Sequence, residues 1–214
     1  MPVIALLNQK GGVGKTTLSL HIAYQLSLTH STQLIDADPQ GSSLDWAAMR
    51  QTASPFNVIG VPKPNIHLNI ASLSKAYDWT VIDGPPRVND IAVSAISASD
   101  LILIPVTPSP LDVWAAKEII DLIHKVKIYR PHLQARFLIN RHVPNTQLGR
   151  EVTDALAAFE DIPVLETVIP NRAEFAKAPR NGQTAKETEP HGKSAAAIEA
   201  LVNELLNTPQ GGTK

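Results

Sequence analysis

The chain has 214 residues, 43% hydrophobic and 18% charged, a formal net charge of −1 and no cysteine. That length and apolar content suit a folded domain with a substantial core, and no run of about 18 apolar residues is present to span a membrane. The missing cysteine excludes disulfides, thiolate metal sites, iron–sulfur clusters and cysteine nucleophiles.

In chain order, Val3–Leu7 predicts a buried strand that runs directly into glycines, with no signal-peptide layout. Leu18–Leu28 has helical periodicity through Leu18, Ile22 and Leu26. Gln33–Ile35 predicts a short strand before Asp36, and Trp79–Ile82 another before Asp83. Leu101–Val106 is a continuous apolar run, and Asp112–Val126 an amphipathic helix. Arg136–Ile139 reads as a strand and Leu148–Phe159 as a helix. Thr167–Ile169 reads as a short strand stopped by Pro170, and Lys193–Leu206 as a last helix. Val58–Asn65, with two prolines and a glycine, receives no assignment. Short apolar runs alternating with longer helices predict an α/β fold with a mainly parallel sheet flanked by helices. Residues 1–206 are expected to form one domain, with 207–214 a flexible tail. A cytoplasmic protein is the simplest expectation.

The near-neutral total hides strong local charge. Residues 124–150 carry 6 basic side chains and no acid, from Lys125 to Arg150. Residues 151–171 carry 5 acids and no base; residues 172–193 carry 5 bases and 3 acids. A solvated face is the common origin of such runs, yet an acid-free stretch of this length is a candidate polyanion surface.

The chemistry begins at Asn8-Gln9-Lys10-Gly11-Gly12-Val13-Gly14-Lys15-Thr16-Thr17, between the first strand and the first helix. Glycines let the backbone turn tightly and aim successive N–H groups at phosphate oxygens, and the following helix presents its positive end to the same anion. In such a loop Lys15 reaches the β- and γ-phosphates and the Thr16 hydroxyl binds Mg²⁺. Gln9 occupies the first glycine position of the usual pattern, and Lys10 is an additional lysine. Asp36, Asp38 and Asp83 follow strands at the same end of the predicted sheet. A carboxylate there can hold Mg²⁺ or orient an attacking water, with Asp38 and Asp83 better candidates than Asp36. The seven histidines show no metal-ligand spacing, and 5% aromatic content offers no stacking platform for single strands.

These residues resemble the deviant Walker A loop of the ParA/MinD ATPases, a P-loop NTPase group. Asp36-Ala37-Asp38-Pro39-Gln40 resembles the next motif of the ParA branch. Leu103-Ile104-Pro105-Val106-Thr107-Pro108-Ser109-Pro110-Leu111-Asp112 resembles the proline-rich segment of small, ParF-like partition ATPases. The loop starts at Asn8, leaving no room for an N-terminal helix-turn-helix, so the resemblance is to the short form.

The resemblance implies an ATP-dependent homodimer with ATP/ADP and Mg²⁺ at its interface. It implies that Gly11, Gly12, Val13, Gly14, Lys15, Thr16 and Thr17 hold phosphate, and that Lys10 reaches the partner's phosphates. It further implies that Asp38 orients the attacking water, Thr16 and Asp83 serve the metal, and Asn140 contacts adenine. The dimer of such proteins binds DNA without sequence preference, is nucleoid-associated when ATP-bound, and is released by a ParB-like centromere-binding partner. Arg172, Lys177, Arg180, Lys186 and Lys193 lie where that group places DNA contacts, and Lys125–Arg150 is a second candidate face. The expected function is plasmid or chromosome partition. A ParA-like positioner of a protein cargo shares the same engine and is the alternative. A MinD-like membrane cycle would need a basic final helix, but Glu199 and Glu204 stand on the polar side of this one, so no membrane partner is expected. A tyrosine-kinase relative would carry a tyrosine-rich tail, which is not seen; a metabolic amidoligase or synthetase on the same loop fold stays open as an alternative, though it would usually need extra substrate elements in a longer chain.

Overall fold

A computed structural model describes residues 1–87 and 89–207. The expected tail, apart from Asn207, lies outside the described residues. Six strands, β1 (Val3–Leu6), β2 (Thr32–Asp36), β3 (Asn57–Gly60), β4 (Trp79–Asp83), β5 (Leu101–Val106) and β6 (Gln134–Ile139), form one parallel sheet in the order β3-β2-β4-β1-β5-β6. Its inner strands are covered on both faces, which is why they read as unbroken apolar runs rather than alternating ones.

Helices α1 (Lys15–Ser27) and α9 (Lys193–Asn207) cover one face with Trp46 of α2 (Ser42–Met49), packing Leu18, Ile22, Ile198 and Leu201 against Ile4 and Val81. On the other face lie α3 (Ile66–Leu73), α4 (Asp90–Ala98), α5 (Pro110–Lys127) and α6 (Gln147–Ala157), with Ile96, Ile119, Ile123 and Leu156 packed on Ile102, Ile104 and Phe137. Two short helices, α7 (Glu174–Lys177) and α8 (Ala185–Thr188), flank a 3₁₀ turn at Ala178–Asn181.

The predicted strand at Thr167–Ile169 does not form. Residues 163–171 instead follow β6 through scattered bonds, Phe137 N–H to Pro163 O (3.0 Å) and Ile169 N–H to Ile139 O (2.9 Å) among them. The Glu166 and Thr167 N–H groups are taken by the Glu204 carboxylate (2.8 and 2.9 Å) rather than by β6, so the pairing stays as isolated bridges. The unassigned stretch at Val58–Asn65 overlaps β3, a half-exposed edge strand of only four residues whose hydrophobic signal is short.

Register places the chemistry. Leu6 and Asp36 both stand opposite Asp83, so the C-terminal ends of β1, β2 and β4 meet at one point. The sequence turns into the glycine loop there, at the carboxyl edge where open α/β sheets bind ligands.

Candidate functional site: a phosphate loop and its carboxylates

The loop is built from the inside. Asn8 is buried, donates from Nδ2 to Pro105 O (2.8 Å) and accepts from Lys10 N–H at Oδ1 (3.0 Å), so it fastens the loop to the end of β5. Gly12 and Gly14 have φ of +78° and +97°, where a side chain is strained. A Cβ on Gly14 would also collide with the Asn140 amide. Gly14 caps α1 without a side-chain bond, which leaves the helix's first N–H groups facing the loop. Gly11 and Gly12 are exposed, Val13 is buried, and Thr16 and Thr17 are half-buried at the start of α1.

Lys15 is 7% exposed, and its Nζ donates to Asn8 O (3.1 Å) and Lys10 O (3.3 Å). Burial lowers its pKa, while the Asp83 and Asp38 carboxylates oppose that change. Its charge is therefore held by carbonyl dipoles inside the loop, a ready exchange for phosphate oxygens. Asp83 is fully buried and is pushed up to about 7 by burial, against hydrogen bonds from the Thr16 and Ser43 hydroxyls. Ser43 Oγ lies 2.9 Å and Ser19 Oγ 3.4 Å from its oxygens.

Asp36 has a different task. Its carboxylate accepts from Asp38 N–H (3.1 Å), Ser43 N–H (2.9 Å) and Leu44 N–H (3.2 Å), so it caps α2. Asp38 is half-buried and closes a local turn by accepting from Gln40 N–H (3.0 Å). Among the described residues no group of three or more His, Cys, Asp or Glu is placed to hold a metal. One carboxylate and one hydroxyl beside a phosphate loop fit Mg²⁺, which commonly takes its remaining ligands from phosphate and water.

Lys10 points elsewhere. Its Nζ forms an ion pair with Asp112, and the two side chains are 40% and 1% exposed. Asp112 sits in the first turn of α5 and also accepts from Thr107 N–H (3.2 Å) and the Thr107 hydroxyl. The Leu103–Asp112 motif thus supplies the carboxylate that holds Lys10 away from its own loop.

Asn140 is nearly buried. It donates to Val13 O (2.7 Å) and accepts from Arg141 N–H (2.9 Å), with Arg141 in the left-handed region at φ 55°. It lines a cleft of about 440 Å³ with Gly14, Thr17, Pro170, Arg172 and Phe175, beside the loop. Arg172 borders this cleft and also a second one with Lys177 and Lys193, where Glu174 and Glu189 add negative charge. Arg180 faces a separate cleft beside Arg50, and Lys186 is paired with Glu199 (3.0 Å). Three of the five basic candidates therefore share one cleft.

The 124–150 block is dispersed. His124 and Lys127 meet Asp161 (2.7 and 3.8 Å), Arg130 binds the carbonyls of Ser97 and Ser99, Arg136 lies along β6, and Arg150 is exposed on α6. On α9, Glu204 accepts from Glu166 N–H (2.8 Å) and Thr167 N–H (2.9 Å), fastening the helix to the core side of the fold. No helix among the described residues is long and apolar enough to cross a membrane.

Sequence reasoning missed Asn8, Ser43 and Asp112. Each is an ordinary polar residue whose role depends on a partner far along the chain. His21 was missed as well: it is buried in α1, with Nδ1 2.6 Å from Thr17 O and Nε2 accepting from Ala185 N–H (3.0 Å).

A parallel sheet with a glycine loop between β1 and α1, a buried lysine and a strand-end aspartate defines a P-loop NTPase of the deviant Walker A class. Residues 4–185 match the family described as the CobQ/CobB/MinD/ParA nucleotide binding domain. The chain belongs to that family. It is 33% identical over 210 residues to "Maintenance of carboxysome distribution protein A" of Halothiobacillus neapolitanus, covering 95% of each chain. It is 26% identical over 238 residues to the chromosome-partitioning ATPase Soj of Thermus thermophilus, covering 95% of this chain and 94% of that one. Its fold matches the septum site-determining protein MinD complexed with Mg-ADP from Pyrococcus horikoshii, with a TM-score of 0.75, 19% identity and 96% of both chains covered.

Proposed function

We propose that the chain is a Mg²⁺-dependent ATPase whose ATP-bound dimer holds DNA without sequence preference and positions a cargo along it. Lys15 and the loop N–H groups take the β- and γ-phosphates. Thr16 and Asp83 hold Mg²⁺, which neutralises phosphate charge. Asp38 orients the water that attacks the γ-phosphate, and Asn140 forms part of the adenine pocket. Lys10 serves the partner's site, where its charge stabilises the transferring phosphoryl group.

The observation that carries this reading is the division of labour between two lysines five positions apart. Lys15 is buried in the loop beside Asp38 and Asp83, whereas Lys10 is half-exposed and latched to Asp112. Lys10 is thus poised at the surface to meet a second copy, and Leu111 and Trp114, both exposed beside Asp112, give that surface an apolar rim. Arg172, Lys177 and Lys193 supply phosphate contacts without base readout, and a dimer doubles them. A ParB-like adaptor then stimulates hydrolysis and releases the dimer.

The cargo has two readings. Plasmid or chromosome partition agrees with the Soj relative. Protein-cargo positioning is favoured by the higher identity, 33%, to the carboxysome distribution protein. Titration of random-sequence duplex with ADP, ATP and a slowly hydrolysed analogue tests the common engine: binding is expected with ATP and its analogue and not with ADP. Equal binding in all three states would refute it. Deletion in the source cell separates the cargos, since DNA loss marks the first and clustering of a protein body the second.

A further inference from the structure

Helix α2 joins two regions that lie far apart in sequence. At its N-terminal end Ser43 donates to Asp83, and Asp36 accepts from Ser43 N–H and Leu44 N–H, so this end is fixed to the phosphate-side carboxylates. At its C-terminal end Trp46 and Arg50 hold the segment from Gly182 to Glu187. Trp46 donates from Nε1 to Gln183 O (3.1 Å) and stacks on Phe56 with ring centroids 5.4 Å apart. The Arg50 guanidinium lies 5.0 Å over the Trp46 ring. It donates to Gly182 O (2.6 Å) and forks onto both Glu187 oxygens (2.7 and 3.2 Å).

This junction is closely fitted. Gly182 has φ +64°, and a Cβ there would come within 2.7 Å of Arg50 N and 2.9 Å of its Cα. The Glu187 carboxylate also accepts from Thr184 N–H (2.7 Å) and the Thr184 hydroxyl (3.0 Å), closing the cap of α8. The Arg50–Glu187 pair is largely buried, 5% and 15% exposed, so its geometry is held far more firmly than a surface pair. Eight residues of helix span about 12 Å, so a tilt imposed at one end of α2 is delivered at the other.

We infer that α2 is a relay in which Trp46 and Arg50 are positioning residues, carrying the state of the phosphate site to the 178–188 segment that presents Arg180 and Lys186. The inference rests on the reading that the loop binds nucleotide. Lys10 is not on this path, and the segment the path reaches is distinct from the cleft of Arg172, Lys177 and Lys193. A two-state element biased at both ends is what such coupling requires.

Hydrogen exchange with Mg²⁺–ADP and Mg²⁺–ATP tests it in the full chain. Two mild variants are used, each measured separately. Trp46→Phe keeps the stack on Phe56 and loses the bond to Gln183. Glu187→Gln keeps an acceptor for Thr184 and removes the charge facing Arg50. In the wild-type protein, ATP is expected to slow exchange in residues 8–17 and to change exchange in residues 178–188. In both variants the slowing at 8–17 persists and the response at 178–188 is lost. A response at 178–188 that survives in both variants overturns the relay. So does a wild-type protein protected at 8–17 with no change at 178–188. A wild-type protein unprotected at 8–17 would instead refute nucleotide binding itself, and the relay with it.

Discussion

His21 gives a stability test that isolates one buried contact. Burial lowers its pKa from 6.5 to about 4, because charging the ring would remove the acceptor for Ala185 N–H in a dry site; the Thr17 carbonyl, Glu187 and Glu174 act in the other direction. Phe175 packs against the ring at 5.1 Å. Below pH 6.5 the unfolded chain takes up the proton and the folded one does not, so acid favours unfolding until the folded form titrates near pH 4. The contribution is thus intact above pH 6.5 and is lost as the pH falls toward 4. With these values the loss is about 2 kcal/mol at pH 5 relative to pH 7.5. Asp83, pushed up to about 7, has the opposite sign: its folded form takes the proton first, so acidification stabilises it, and the raw wild-type profile mixes the two. Comparison with His21→Gln separates them, since that variant keeps Asp83 and has no titrating ring. Urea unfolding at pH 7.5 and 5.0 is expected to show the wild-type protein losing about 2 kcal/mol more than the variant, or about 1 M in midpoint. Parallel losses would refute the buried neutral imidazole.

Three further outcomes follow from the site. Gly14→Ala forces a Cβ into the Asn140 amide at φ +97°, and a fluorescent-nucleotide titration should show affinity reduced by about tenfold or more. Asp38→Ala should slow hydrolysis by about 100-fold or more while ATP-dependent DNA binding persists, as checked by phosphate release and a gel shift. Reversing Arg172, Lys177 and Lys193 to Glu should weaken DNA binding and flatten its salt dependence by about 1 in log–log slope for each lost phosphate contact. An unchanged slope would move the DNA face elsewhere.

The sequence was most legible where one segment carries its own reason. The runs at β1, β4 and β5 are apolar because both faces are covered, and α5 shows its buried stripe through Val113, Ile119, Ile120 and Ile123. The loop from Asn8 to Thr17 declares itself by composition. Elements with little buried surface left little pattern: α2 buries only Ser43 and Trp46, and β3 is a half-exposed edge. The strand expected at Thr167–Ile169 failed because the Thr167 N–H goes to the Glu204 carboxylate of a distant helix, a link that local apolar content does not reveal. Pairwise roles were invisible for a similar reason. The Asp36 cap, the Asp112 latch on Lys10 and the grip of Arg50 on Glu187 join residues 7 to 137 positions apart, and one-dimensional spacing gives no sign of the longer links. The charge runs likewise resolved only in three dimensions, with the 124–150 block dispersed and the 172–193 set partly gathered.

The claim that two copies complete each other's site is tested most directly by mixing two impaired variants. Lys10→Ala lacks the residue offered to the partner, and Asp38→Ala lacks the residue used at home. A mixed dimer contains one site with its own Asp38 and the partner's Lys10. Steady-state ATP hydrolysis should therefore be strongly reduced in either variant alone, by about 100-fold or more for Asp38→Ala, and reappear on mixing, approaching half the wild-type rate per mixed dimer. A mixture as inert as its components would contradict the assignment of Lys10 to the partner's phosphates.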